Sequence, residues 1–126
     1  MTPLEIQVSA LGRHTLVTPW GELDVTNAER LADRLAELID ESSDAAVIVH
    51  LAELEFCDTT GLSVFINGAR LAAESETPYL VAGAQGRVGR LLYLTGLERA
   101  SWLLPDLEAA VVTLHHGDDE AQDAAG

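Results

Sequence analysis

The run Ala45-Ala46-Val47-Ile48-Val49-His50-Leu51 constrains this chain more than any other stretch. It is short, apolar and rich in β-branched side chains, the composition of a buried parallel strand. Leu62, Phe65, Ile66, Ala69, Ala72 and Ala73 then recur at the spacing of one helix face. Between strand and helix stand Asp58, Thr59 and Thr60. They place a carboxylate and two hydroxyls at a helix N-terminus, where the first backbone N–H groups have no partner within the helix.

The rest of the chain repeats this alternation. Leu4, Ile6 and Val8 alternate with Glu5, Gln7 and Ser9 as in a half-buried strand. A turn at Gly12-Arg13-His14 leads to a second strand, Thr15 to Trp20, paired with the first as a hairpin. Pro19 lacks a ladder donor and belongs at that strand's end or on an unpaired side. Gly21-Glu22-Leu23-Asp24 is expected to be a loop. Thr26 with Glu29 has the spacing of a capping box. The helix it opens turns Ala28, Leu31, Ala32, Leu35, Leu38 and Ile39 inward. Tyr79 to Gly83 is a further apolar strand, and Val88, Leu91 and Leu92 mark a third helix with Gly96 as its C-cap. Ala100 to Leu104 is a short last strand. A final helix follows Pro105-Asp106.

Strands joined by single helices run parallel with right-handed crossovers. The expected fold is therefore α/β: a mixed, mostly parallel sheet with an antiparallel N-terminal hairpin strand, packed with about four helices. Residues 1–114 form the one domain, and residues 115–126 are expected to be a disordered acidic tail. Open α/β sheets place their sites beyond the carboxyl ends of the strands. That edge gathers Gly21–Thr26, Leu54–Gly61 and Gly83–Arg87, making neighbours of Asp24, Asp58 and Thr59.

Charge narrows the function classes. Seven basic against twenty-one acidic side chains give a net charge of −14, which argues against binding nucleic acid or anionic lipid. A basic protein partner is the natural expectation. Cys57 is the single cysteine, so an internal disulfide or a cysteine metal cluster is ruled out. The start of the chain has no signal-peptide pattern, and no run has the length of a membrane span. A cytoplasmic protein is expected. Neither a cofactor nor a metal is implied. His14, His50, His115 and His116 do not form a metal-ligand spacing with the carboxylates, Cys57 reads as a small buried hydrophobe, and Gly83-Ala84-Gln85-Gly86-Arg87 lacks the lysine and spacing of a P-loop.

Asp58-Thr59-Thr60 has a plain structural reading, a helix cap. Yet one cap needs one residue, and here three candidates stand in a row. Gly61 also lies in the first turn, where it lowers helix propensity by about 1 kcal/mol relative to Ala. A small residue there is expected to leave the hydroxyls accessible.

Asp58-Thr59-Thr60-Gly61-Leu62, preceded by Leu54-Glu55-Phe56, resembles the phosphorylation loop of STAS-domain anti-sigma factor antagonists. Gly21-Glu22-Leu23-Asp24 is similar to that family's second signature, and the Leu-rich third helix ending Thr95-Gly96-Leu97 also fits. The similarity covers residues 4–114. It implies a non-enzymatic protein switch that regulates transcription. In the family, an anti-sigma factor that is a serine/threonine kinase with its own ATP site phosphorylates the residue after the motif's Asp. The unphosphorylated antagonist binds that kinase and frees a sigma factor; a phosphatase resets the switch. Carried onto this chain, the acceptor is Thr59. Asp24 and Asp58 line the site, and Thr60, Gly61 and Leu62 belong to the docking surface.

One departure stands out. Many such antagonists carry Ser at the acceptor, and the methyl of Thr59 stiffens its χ1. That tilts toward a specialised kinase or toward the alternative, a STAS scaffold or accessory subunit of a stress-sensing or lipid-transport complex that needs no phosphorylation. A hydrolase using Asp58 and Thr59 is disfavoured, because no His is placed to act as base and no oxyanion motif is visible.

Overall fold

The computed structural model describes residues 2–115. In chain order the elements are β1 (Glu5–Leu11), β2 (His14–Leu23), α1 (Ala28–Glu41), β3 (Val47–His50), β4 (Leu54–Cys57), α2 (Thr59–Glu74), β5 (Tyr79–Ala82), α3 (Gly86–Leu94), a 3₁₀ turn (Leu97–Arg99) and β6 (Leu103–Leu104). A last helix, α4, runs from 107 to 115. The sheet runs β1-β2-β3-β5-β6, with β4 on the same side of β2 as β3. The β1–β2 hairpin is antiparallel and every other pair is parallel. The expected mixed, mostly parallel α/β sheet with four helices among the described residues is thus the observed one.

The sheet has a filled layer on each face. Leu31, Leu35, Leu62, Phe65, Val88 and Leu92 bring α1, α2 and α3 onto one face, against Val17, Val47, Val49 and Val81. On the other, Ala110, Leu107 and Leu114 of α4 cover Ile48, Leu80 and Ala82. Val47, Ile48 and Val49 are fully buried, as a strand covered on both sides requires.

Four local expectations are corrected. Gly21-Glu22-Leu23 is the end of β2 and not a loop, because Leu54–Cys57 forms a strand beside it, in register Gly21↔Leu54, Glu22↔Phe56 and Leu23↔Cys57. The Thr26–Glu29 capping box does not form. The N-cap of α1 is Asn27, with no side-chain bond to the helix, while the Asp24 carbonyl accepts from Ala28 N–H at 2.9 Å. Ile66 is 40% exposed and Ala73 is also outside. The buried stripe of α2 is instead Gly61, Leu62, Val64, Phe65, Gly68 and Ala72. The last strand keeps only Leu103 and Leu104, since 100–103 close a turn in which Leu103 N–H donates to the Ala100 carbonyl at 3.1 Å.

Pro19 sits on an unpaired side. The amides of Thr15 and Gly21 donate to Ala46 and Glu53, so strand alternation turns the Pro19 nitrogen toward the same side of β2. There the register leaves residues 18–20 unpaired between β3 and β4. Gly96 lies just past α3 at φ 78, as a left-handed helix terminator. The helical 107–115 segment includes His115. The rest of the expected tail, 116–126, lies outside the described residues.

Candidate functional site

β2 and β4 end side by side, and the residue after each is an aspartate. The Asp58 N–H donates to the Leu23 carbonyl at 3.2 Å, continuing the ladder by one bond. Each strand hands over to a helix there: a short turn leads from Asp24 to α1, and α2 starts directly after Asp58. The topology therefore brings together Asp24, Asp58 and Thr59, as their sequence order suggests.

The two carboxylates are occupied by their own turns. Asp58 is the N-cap of α2, and its Oδ1 accepts from Gly61 N–H at 2.8 Å. Its carbonyl accepts from Leu62 N–H at 2.9 Å. The Asp24 Oδ1 accepts from Thr26 Oγ1 at 2.5 Å and from Thr26 N–H at 2.9 Å. The Thr26 hydroxyl, followed by that amide, holds the Asp24 carboxyl below the usual carboxylate range. Asn27 locks the turn from the other side. Its Oδ1 accepts from Asp24 N–H at 3.0 Å and its Nδ2 donates to the Glu22 carbonyl at 2.9 Å. Asn27 was missed at the sequence level; its signal is an Asn three residues after Asp24, just ahead of an apolar helical stripe.

Capping leaves two residues over. Thr59 and Thr60 are the first residues of α2, both exposed. Neither hydroxyl has a hydrogen-bond partner among the described residues, and neither do their backbone N–H groups. A free hydroxyl therefore stands beside two free amides at the positive end of a sixteen-residue helix. One turn on, Ser63 Oγ donates to the Thr59 carbonyl at 3.0 Å.

Gly61 and Leu62 lie beneath this surface. Leu62 is 5% exposed, and Gly61 faces inward. A Cβ at Gly61 would stand 2.8 Å from Leu23 Cγ and 2.9 Å from Cys57 Sγ. The absent side chain lets α2 close onto the ends of β2 and β4; it is not what exposes the hydroxyls. Cys57 is buried there, and desolvation, reinforced by the neighbouring Asp58 charge, pushes its thiol up to about 12. The Gly83–Arg87 loop shares the sheet edge at a distance in topology. Gln85 Nε2 donates to the Ala52 carbonyl at 3.0 Å, which ties it to the β3–β4 turn and not to Thr59.

Among the described residues no three His, Cys, Asp or Glu side chains are grouped to hold a metal ion. No helix among them is long and apolar enough to cross a membrane.

The family model for the STAS domain matches residues 5–110. The chain belongs to the STAS domain family. A curated STAS relative, the anti-sigma-B factor antagonist of Staphylococcus epidermidis, is 32% identical over 78 residues, 62% of this chain and 71% of that one. The anti-sigma factor antagonist of Mycobacterium paratuberculosis has the same fold, at TM-score 0.79 and 24% identity over 90% of this chain and 95% of that one. SpoIIAA, solved in its unphosphorylated form, aligns at TM-score 0.71 and 18% identity over 89% and 97% of the two chains. By sequence and fold this STAS chain falls among the anti-sigma factor antagonists.

Proposed function

We infer that this STAS domain is an anti-sigma factor antagonist switched by phosphorylation of Thr59. It is a binding module and not an enzyme, working in the cytoplasm. Its unphosphorylated form binds an anti-sigma factor serine/threonine kinase and releases a sigma factor, and a phosphatase resets it. One observation carries the reading: among the described residues the exposed Thr59 hydroxyl has no hydrogen-bond partner, while Asp58 is the residue whose side chain caps the helix. A kinase can reach that oxygen without unfolding anything. The relatives support the partner class, because they are antagonists of anti-sigma factors.

The switch is electrostatic. A phosphate adds about −1.5 to −2 charges at neutral pH. The free Thr59 and Thr60 amides and the helix dipole accept it in place, so the fold holds. The surface seen by a partner changes far more, because the new charge joins Asp58 and the Asp24 turn. A partner face that fits closely over Thr59 is then repelled and must hold a desolvated phosphate. Asp24, Asp58 and Thr60 line this surface, and Gly61 and Leu62 set its height from below.

The test is phosphopeptide mass spectrometry on the purified chain after incubation with ATP and native-host lysate under phosphatase inhibition. Phosphate on Thr59, absent from Thr59→Ala and dependent on the lysate, supports the switch. An unmodified Thr59 moves the assignment to a STAS scaffold that binds without turnover.

A further inference from the structure

Among the described residues nothing pairs with the outer rim of β1, and that rim matches a second copy of itself. Hydrogen-bond direction along the hairpin follows from β2. The odd residues Thr15 and Gly21 turn their amides away from β1, so Leu16, Thr18 and Trp20 bond inward to Ser9, Gln7 and Glu5. The N–H and C=O groups of Ile6, Val8 and Ala10 therefore point outward, and none has a partner among the described residues. Val8 is 37% exposed. Native edge strands are blunted by Lys, Pro, bulges or charge. From Ile6 to Leu11 this strand has none of these.

We propose that β1 pairs antiparallel with β1 of a second copy about a two-fold axis through Val8, making one sheet continuous across both chains. Among registers that join outward-facing residues, this one pairs all of them: Ile6 with Ala10, Val8 with Val8, and Ala10 with Ile6. Each is a hydrogen-bonded pair. The side chains agree on both faces. Ile6, Val8 and Ala10 share one face, so an apolar row meets an apolar row. On the other face Gln7 meets Ser9 and Glu5 meets Leu11, which keeps the two Glu5 carboxylates at opposite ends. A two-fold contact uses the same patch on both chains, and this strand is self-complementary in that sense.

The charge sets the conditions. Two chains of net −14 repel. The pairing therefore strengthens as ionic strength rises from about 0.01 M to about 1 M and the Debye length falls from about 30 to about 3 Å. The whole chain is followed by sedimentation equilibrium at both salts, with expected mass moving toward twice the single-chain value in high salt. Ala10→Pro removes an outward amide that the hairpin does not use, so it abolishes the rise and leaves circular dichroism unchanged.

Crosslinking fixes the register. Opposite residues of a hydrogen-bonded pair lie about 5.5 Å apart at Cα, within the range of about 4.4–6.8 Å that a disulfide spans. With copper phenanthroline and air as oxidant, Val8→Cys gives a covalent dimer and Gln7→Cys does not. Cys57 is buried and does not compete. A single-chain mass at millimolar concentration in high salt overturns the proposal, and so does equal crosslinking of Gln7→Cys and Val8→Cys. A doubled mass seen only after deletion of residues 116–126 assigns the rim to the chain's own acidic tail and overturns it as well.

Discussion

The Asp58 amide donates to the Leu23 carbonyl at 3.2 Å, and that bond carries the β2–β4 pairing up to the two site-forming turns. Leu23 leads into the Asp24 turn and Asp58 caps α2. Gly61, one turn later, lies over both strand ends.

Gly61→Ala tests this closeness. In an open helix the change is stabilising by about 1 kcal/mol. Here the new methyl would stand 2.8 Å from Leu23 Cγ, a branch point that cannot swing aside like a chain end. Overpacking of this kind costs about 1–3 kcal/mol. Urea unfolding should show no net gain, and a net loss of up to about 2 kcal/mol. A more stable variant would mean that α2 can lift away freely.

Asp58→Ala removes the one side chain among the described residues that caps the N-terminus of α2. The expected loss is about 1 kcal/mol, and Asp58→Asn should recover most of it because its amide oxygen accepts the same Gly61 N–H. Equal losses in the two variants would show that charge, and not the 2.8 Å hydrogen bond, holds the helix end.

How much of this was legible depends on the signal each residue leaves. Val47–Val49, the Leu31–Leu35 stripe and the hairpin are long or strongly patterned, and all fell where periodicity placed them. β4 was missed because Leu54-Glu55-Phe56-Cys57 is four residues with no period, three residues after β3. Its strand character comes from pairing with the far end of β2, a non-local fact. The buried face of α2 was misread at Ile66 because glycine does not register as apolar. Gly68 takes an inward place, where a Cβ would meet the Tyr79 hydroxyl at 2.6 Å. At the site, the order Asp24, Asp58, Thr59 was readable, whereas the division of labour between a capping Asp58 and an idle Thr59 needed the hydrogen bonds.

Cys57 should be chemically quiet in the folded chain. Burial pushes its thiol up to about 12, against about 8.5 for an unperturbed cysteine. The folded state holds the proton where the unfolded state loses it. This contribution to stability is therefore complete below about pH 8.5 and is lost as pH rises toward the folded value. Iodoacetamide at pH 8.5 should label Cys57 slowly in buffer and rapidly in urea. Equal rates would place the thiol in solvent.

The Asp24 turn gives a prediction at the acid end. Thr26 is the main cause of its lowered pKa. A depressed carboxyl contributes stability above its unfolded value, about 3.9, and loses it as pH falls through the folded value. Thr26→Val deletes the 2.5 Å hydroxyl bond and keeps the size. NMR titration should move the Asp24 carboxyl upward, toward the ordinary range, with the remaining lowering due to the amides of residues 26 and 27. An unchanged midpoint would assign the whole shift to the backbone.

Thr59→Glu separates binding from folding. The new carboxylate enters the first turn of α2, where the dipole favours it by about 0.3–1 kcal/mol and no side chain needs to move. Thermal unfolding should thus be unchanged or slightly raised. Affinity for the anti-sigma factor kinase proposed as partner should fall by at least tenfold, the equivalent of about 1.4 kcal/mol, because a surface that fits over a neutral hydroxyl would meet a charge beside Asp58. Thr59→Ala should bind as the unmodified chain does and take no phosphate. Calorimetric titration of the three chains into the same kinase reads the comparison directly. Equal binding of Thr59→Glu would remove charge as the switch, and a joint loss of stability and binding would mean that the substitution acts through the fold.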